Sequence, residues 1–94
     1  MVAAKPFTNP KRLALVLLLY LHGKMGFTDL QKLLDLTPGN LDHHLKTLKE
    51  IGIVRMRKRF SWRPMIIVEL TPEGAEAFHN YASKLRGFLD KIEE

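Results

Sequence analysis

The sequence predicts a mainly α-helical domain with one small β-hairpin, and three observations lead there. An Asn or Thr followed by Pro opens a helical apolar pattern at three places: Asn9-Pro10, Thr37-Pro38 and Thr71-Pro72. The side-chain oxygen of such a residue accepts a free N–H of the first turn, and proline suits the first helical position because its missing N–H would have no partner there. The apolar residues that follow recur at spacings of three and four, as on one face of a helix. Between residues 53 and 70 the pattern changes to two short runs rich in Val, Ile and Met, split by Phe60-Ser61-Trp62-Arg63-Pro64, which is the composition of paired strands.

With 94 residues, 46% of them hydrophobic and 27% charged, the chain has room for one globular domain spanning 1–94 and one modest core. A domain this small buries a lesser share of its surface than a large one, so a second subunit is an expected way to cover leftover apolar area. The absence of cysteine removes disulfides, thiolate nucleophiles and cysteine metal sites together, and fits a cytoplasmic setting. The apolar run 13–21 is nine residues long, too short for a hydrocarbon layer that needs about 20. Lys5, Lys11 and Arg12 precede it as in a signal peptide, but Asn9-Pro10 is a helix start and no small-x-small cleavage site follows, so a structural helix is expected. The net charge of +5 is uneven: residues 37–64 carry seven basic and two acidic groups, whereas residues 65–94 carry three and six. A basic middle third suits a polyanion.

Taken in order, a first helix is expected over 9–22, ending at Gly23. Leu13, Val16, Leu17 and Tyr20 form one stripe and Leu15, Leu18, Leu19 and Leu21 cover much of the rest, which implies burial on more than one side. Lys24-Met25-Gly26-Phe27 reads as a link. A short helix over 28–35 follows, with Thr28 and Gln31 at capping-box spacing, Leu30, Leu33 and Leu34 facing inward, and Gln31, Lys32 and Asp35 outward. The third helix, 38–51, turns Leu41, His44, Leu45 and Leu48 inward and ends at Gly52. Gly39, His43, Lys46 and Glu50 lie opposite, flanked by Asn40, Asp42 and Thr47, so the polar set forms one exposed ridge. The hairpin occupies 53–70, and Pro64 is tolerable as a strand's first residue. The last helix, 72–92, carries the stripe Ala75, Phe78, Ala82, Leu85, Leu89 and Ile92, widened by Tyr81 and Phe88. At 1.5 Å per residue it is about 31 Å long, more than so small a domain needs, and its distal half is expected against a partner.

Helix, helix-turn-helix, hairpin and long helix make the plan of a winged helix domain, a winged helix-turn-helix with a long C-terminal dimerisation helix. The segment Leu36-Thr37-Pro38-Gly39-Asn40-Leu41-Asp42-His43-His44-Leu45-Lys46-Thr47-Leu48-Lys49-Glu50-Ile51-Gly52-Ile53-Val54 resembles the recognition-helix signature of MarR/ArsR-type transcriptional regulators. Leu70-Thr71-Pro72-Glu73-Gly74 resembles the phrase that opens the last helix in those families. The resemblance covers nearly the whole chain and is to the single-domain archaeal and bacterial type. It implies that the third helix enters the major groove of double-stranded DNA and that the hairpin, the wing, lies along the neighbouring backbone or minor groove.

The residue chemistry points to the same face. Asn40 can pair bidentately with adenine, Lys46 can donate to guanine, and His43 suits a base edge or a phosphate. Thr37 and the first-turn amides, with Gly39 among them, suit a phosphate, and Thr47 flanks the ridge. Asp42 departs from the small polar residue common there and would repel phosphate unless it accepts from a cytosine amino group. Arg57, Lys58, Arg59 and Arg63 supply the wing's positioning charge. Arg55 either joins them or lies on the strand face away from DNA, and Trp62 is expected to pack under the wing.

Rival chemistries find less support. No nucleophile–base pair, matched acid pair or Gly-rich phosphate loop is present, so an enzyme is not expected. His43 and His44 are adjacent and point about 100° apart on a helix, which is wrong for joint metal ligation. His44 is expected to be partly buried and bonded to backbone, and His22 to cap a helix end. No metal or cofactor is expected, and nothing identifies a small-molecule effector. The alternative is a winged helix module that binds protein or RNA, but the ridge lacks the aromatics and leucines of a protein interface. The surplus apolar surface implies a homodimer through Leu15, Leu19, Phe78, Tyr81, Ala82, Leu85, Phe88, Leu89 and Ile92. Two recognition helices would then meet a pseudo-palindromic site about 34 Å apart.

Overall fold

A computed structural model describes residues 5–93. A 3-10 turn at Lys5–Phe7 leads into α1 (Pro10–His22), β1 (Lys24–Gly26), α2 (Phe27–Leu34), α3 (Pro38–Glu50), β2 (Val54–Phe60), β3 (Pro64–Leu70) and α4 (Pro72–Glu93). The strands form one antiparallel sheet in the order β1-β3-β2.

The three cap signals act as written. The Asn9 carboxamide oxygen accepts from the N–H groups of Lys11 and Arg12 at 3.0 and 3.2 Å. Thr37 Oγ1 accepts from Asn40 N–H at 3.1 Å, and Thr71 Oγ1 from Gly74 N–H at 2.9 Å. Helix α1 stops where Gly23 turns left-handed (φ +82°) and gives its N–H to the Leu19 carbonyl at 2.7 Å. Thus the cap bond expected of His22 is made by the backbone of the next residue, and His22 is exposed.

Two local expectations fail. The link at 24–27 contains β1, whose Met25 pairs with Val68 and Gly26 with Ile67, so β3 is central rather than the second strand of a lone hairpin. Helix α2 then starts at Phe27 with Gly26 as its N-cap and no side-chain cap bond. The strand carries the chain directly into the helix, which leaves Thr28 inside the first turn, too late to cap it. The face that α2 turns inward also differs from the expected one: Leu30 is buried, but Leu33 is 62% exposed while Gln31 is partly covered.

The core lies between the sheet and the helices. Leu15, Val16 and Leu19 of α1, Leu30 of α2, Leu41, Leu45 and Leu48 of α3, and Ile53, Val54 and Val68 at the sheet form one cluster. Phe7 joins it, 2% exposed, with its ring edge-on to Phe78 at 5.9 Å and tilted against Tyr81 at 5.1 Å. Tyr20 completes this aromatic group at 5.0 Å from Phe78. The residues before α1 therefore clamp α1 to α4, a role the sequence pattern did not indicate.

Helix α4 is anchored at its start by a close backbone contact. The Ile53 carbonyl accepts from Thr71 N–H at 3.0 Å and from the Thr71 hydroxyl at 3.2 Å, and that hydroxyl also reaches the Gly52 carbonyl. A Cβ on Gly74 would lie 2.1 Å from the Ile53 oxygen. The remaining course of α4 runs away from the body: the molecule measures 53 × 26 × 21 Å, with a radius of gyration of 14.2 Å, against about 12 Å for a compact chain of this length.

Gly74→Ala is expected to destabilise the protein by about 3 kcal/mol, because backbone on both sides leaves the methyl group nowhere to move. Gly87→Ala, on the same helix but in open space, should instead stabilise it by up to about 1 kcal/mol through helix propensity. Urea unfolding at fixed protein concentration checks both.

Candidate nucleic-acid interface

The turn between α2 and α3 sets the attitude of α3. Asp35 takes a left-handed conformation (φ 52°) and, with Leu36, returns its N–H to the last turn of α2. Thr37 then restarts the chain as a helix. In that first turn Pro38 has no N–H and the Asn40 N–H is held by Thr37, which leaves the Gly39 N–H unused within the described residues. A Cβ at Gly39 would meet nothing within 4 Å, so the fold itself does not require glycine there. An outside group approaching the backbone closely would.

Gly39, Asn40, His43, Lys46 and Glu50 are exposed on α3, with Asp42 and Thr47 half-buried beside them. Asp42 accepts an ion pair from Lys46 at 3.0 Å. It therefore holds the ammonium in place one turn away, and two of the three ammonium protons remain for another acceptor. Thr47 donates its hydroxyl proton to the His43 carbonyl at 3.1 Å, so it presents only its oxygen.

Sheet register sorts the wing's charges. Directly paired residues share a face, which puts Arg55, Arg57 and Arg59 with Glu69, Ile67 and Met65 on the outer face, and Val54, Met56 and Lys58 with Leu70, Val68 and Ile66 on the face toward the helices. Arg55 Nε donates to a Glu69 carboxylate oxygen at 2.9 Å, and Arg57 Nε lies 3.8 Å from the same oxygen. Arg55 thus belongs to an ion pair on the outer face. Its hydrogen bond, with Arg57 and Lys24 nearby, holds the Glu69 carboxyl below its usual range. Lys58 and Arg59 form no ion pair among the described residues. Lys58 lines a cleft of about 230 Å³ with Asp42, Phe27, Met56, Arg57 and Ile66, which brings the wing and α3 to one surface.

Trp62 does not pack under the wing; it is 82% exposed, and the Arg63 guanidinium lies 4.7 Å from its ring centroid. The cause is topological. β1 pairs with β3 only as far as Ile67, so the hairpin beyond that point has no third strand, and Trp62 stands in the turn past the last paired residues, Phe60 and Pro64. Leu15 and Leu19, expected against a partner, are fully buried in this protomer's own core, and Phe78 nearly so. The exposed apolar surface lies instead on Leu17, Tyr20 and Leu21 of α1 and on Leu85, Phe88, Leu89 and Ile92 of α4, with Tyr81 and Ala82 half-buried between. The sequence pattern had placed all these α1 residues on a helix covered on two sides; only the fold separates the inner from the outer set.

His44 is half-buried on α3, but among the described residues its Nδ1 has no hydrogen-bond partner, contrary to the backbone bond expected of it, and neither has the buried Nε of Arg12. Burial is the main cause that pushes the His44 imidazole below its ordinary pKa of 6.5, followed by the charges of Arg12, His43 and Lys11. Among the described residues no three His, Asp or Glu side chains gather as a metal-binding group, and no helix is long and apolar enough to cross a membrane.

Residues 11–89 match the winged helix DNA-binding domain family. An uncharacterized protein of Methanocaldococcus jannaschii is 37% identical over 90 residues, covering 95% of this chain and 98% of that one. An HTH-type transcriptional regulator of Bacillus subtilis is 28% identical over 89% of this chain and 51% of its own length. Among solved structures, a transcriptional regulator homologue from Pyrococcus horikoshii superposes with a TM-score of 0.90 at 36% identity, covering 97% of this chain and 91% of that one. A MarR-family regulator from Enterococcus faecalis shares the fold with a TM-score of 0.79 at 23% identity, over 96% and 81% of the two chains.

Because the folded state disfavours protonation of His44, the unfolded chain takes up that proton first as pH falls. The associated stability is present above pH 6.5 and is lost as pH drops through the lower folded value. Urea midpoints measured from pH 7.5 to 5 should fall, and His44→Leu should flatten the dependence; an equally steep fall in the variant would assign it to other groups.

Proposed function

The chain belongs to the winged helix DNA-binding domain family, and on that premise we propose that it is a MarR-type transcriptional regulator. In this reading it acts as a homodimer on a pseudo-palindromic duplex site. The observation that carries the proposal is the single surface made by the polar α3 ridge and the cationic wing across the cleft between Asp42 and Lys58. Helix α3 enters the major groove with Asn40 and Lys46 at base edges. The Gly39 N–H donates to a phosphate oxygen at the positive end of the helix dipole, and the phosphate comes close because no side chain stands there. Asp42 acts on the protein side, by holding Lys46 extended along the ridge.

Lys58, Arg59 and Arg63 contact the backbone beside α3. Arg55 and Arg57, already engaged by Glu69, contribute less. The subunits meet through the outer apolar residues of α1 and the distal half of α4. Leu85, Phe88, Leu89 and Ile92 recur there at three- and four-residue spacing, the pattern of a helix that packs on another.

Selection of bound sequences from a random duplex pool is expected to return two related half-sites about 34 Å apart, about one helical turn. Affinity should fall with salt at a logarithmic slope of about −0.9 per phosphate contact. Asn40→Ala and Lys46→Ala should each cost roughly 1–3 kcal/mol at particular base positions, whereas Lys58→Ala and Arg59→Ala should weaken binding to every sequence alike. Sedimentation is expected to find a dimer and to find Phe88→Glu monomeric; a monomeric wild-type protein at micromolar concentration would refute the dimer.

A further inference from the structure

The wing tip carries apolar surface that neither the fold nor the phosphate contacts above employ. Trp62 and Phe60 are 82% and 74% exposed and flank Ser61 in a turn where Ser61 N–H donates to the Arg63 carbonyl at 3.3 Å. Two aromatic rings left in water at one turn forgo a burial worth roughly 2–3 kcal/mol each. Their surroundings select the occupant. No acidic residue stands between Glu50 and Glu69, Lys58 and Arg59 precede the rings, and Arg63 lies over Trp62 at 4.7 Å. Aromatic rings set among unopposed cations suit a polyanion with apolar faces inside, and this tip continues the surface assigned above to duplex DNA.

We propose that Trp62 is a minor-groove wedge, which stacks against an opened base step next to the major-groove site of α3 and bends the duplex; this rests on the DNA-binding reading above. Dimensions support the wedge over a flat contact. The minor groove of B-form DNA is about 6 Å wide, and two strands about 4.8 Å apart with their side chains are too broad to enter it. Only the turn can enter, and a turn bearing both an indole and a phenyl ring requires the groove to widen. Widening is easiest at pyrimidine–purine steps, so the wedge creates sequence preference where no hydrogen bond reads a base. The guanidinium stacked on Trp62 restricts both side chains before binding and neutralises the phosphates at the groove mouth.

Trp62 is the only tryptophan in the chain, so its fluorescence reports on this site alone. On titration of the full chain with the duplex recovered by selection, the emission is expected to be quenched and shielded from acrylamide, and energy transfer between end-labels should report a bend. Trp62→Ala should bind about 5- to 100-fold more weakly, lose the bend and keep both its salt slope and its melting temperature. Trp62→Phe should recover part of the affinity. Arg63→Ala should instead lower the salt slope by about one. If the wild type binds but Trp62→Ala matches it in affinity and bend, the wedge is overturned. It is overturned equally if the emission responds to protein concentration alone, as for contact with a second copy, or to phosphatidylglycerol vesicles and not to duplex. Absence of wild-type binding to every duplex would remove the DNA reading together with the wedge.

Discussion

One carbonyl group, that of Ile53, fixes how the parts of this protein are oriented. It stands where the turn after α3 becomes β2, and it accepts two hydrogen bonds from Thr71, where β3 becomes α4. Gly74 presses so closely on it that only a hydrogen atom fits in the place of a side chain. Four elements therefore converge on one backbone group with no slack. This contact ties the chain leaving α3 to the start of α4, and in the proposed dimer joined through α4 it would help to set how the two α3 helices face their target. A requirement for glycine at the first turn of the last helix is thus a requirement on the DNA-facing geometry some distance away.

Charge is distributed along the wing in a matching way. Near the core, Glu69 engages Arg55 and Arg57 and takes them partly out of service. Further out, Lys58 and Arg59 are unpaired among the described residues, and Arg63 is held by an aromatic ring rather than by an acid. Cation–π contact restrains a guanidinium without cancelling its charge, so the positive potential increases toward the tip. On α3 the opposite device appears: Asp42 cancels part of the charge of Lys46 but fixes its position. In the proposed DNA complex, Lys46 as a reader of bases would gain from being placed, while wing cations that attract phosphate would gain from being free.

The starts of α1, α3 and α4 were legible in the sequence because the Asn9, Thr37 and Thr71 caps are local: donor and acceptor lie within three residues. Burial on α3 was legible because Leu41, Leu45 and Leu48 face a single core. β1 was not, because a three-residue strand has too little alternation to read and forms only when β3, some forty residues onward, offers its edge. The start of α2 at Phe27 follows from that strand, which runs directly into the helix, and Trp62 is exposed in a hairpin turn that the short β1 does not reach. Phe7 escaped notice because a single aromatic before a helix has no period at all. For α1, periodicity counted the apolar faces correctly but could not say that Leu15 and Leu19 belong to this chain's core and Leu17 and Leu21 to its surface.

The distal half of α4 bears on whether dimerisation is an accessory or a condition of function. Every residue from 83 to 93 is exposed, so this stretch is held in helical form by its own hydrogen bonds and by continuity with the anchored first turns. Isolated helices shorter than about 12–15 residues are marginal in water. A free segment of that length carrying Phe88 and Ile92, 66% and 77% exposed, gains stability chiefly by packing its apolar stripe. A second α4 offers the same stripe in return, by twofold symmetry. In the proposed homodimer, association would order the helix that spaces the two α3 ridges, and the spacing of the DNA-facing surfaces would be a property acquired with the partner.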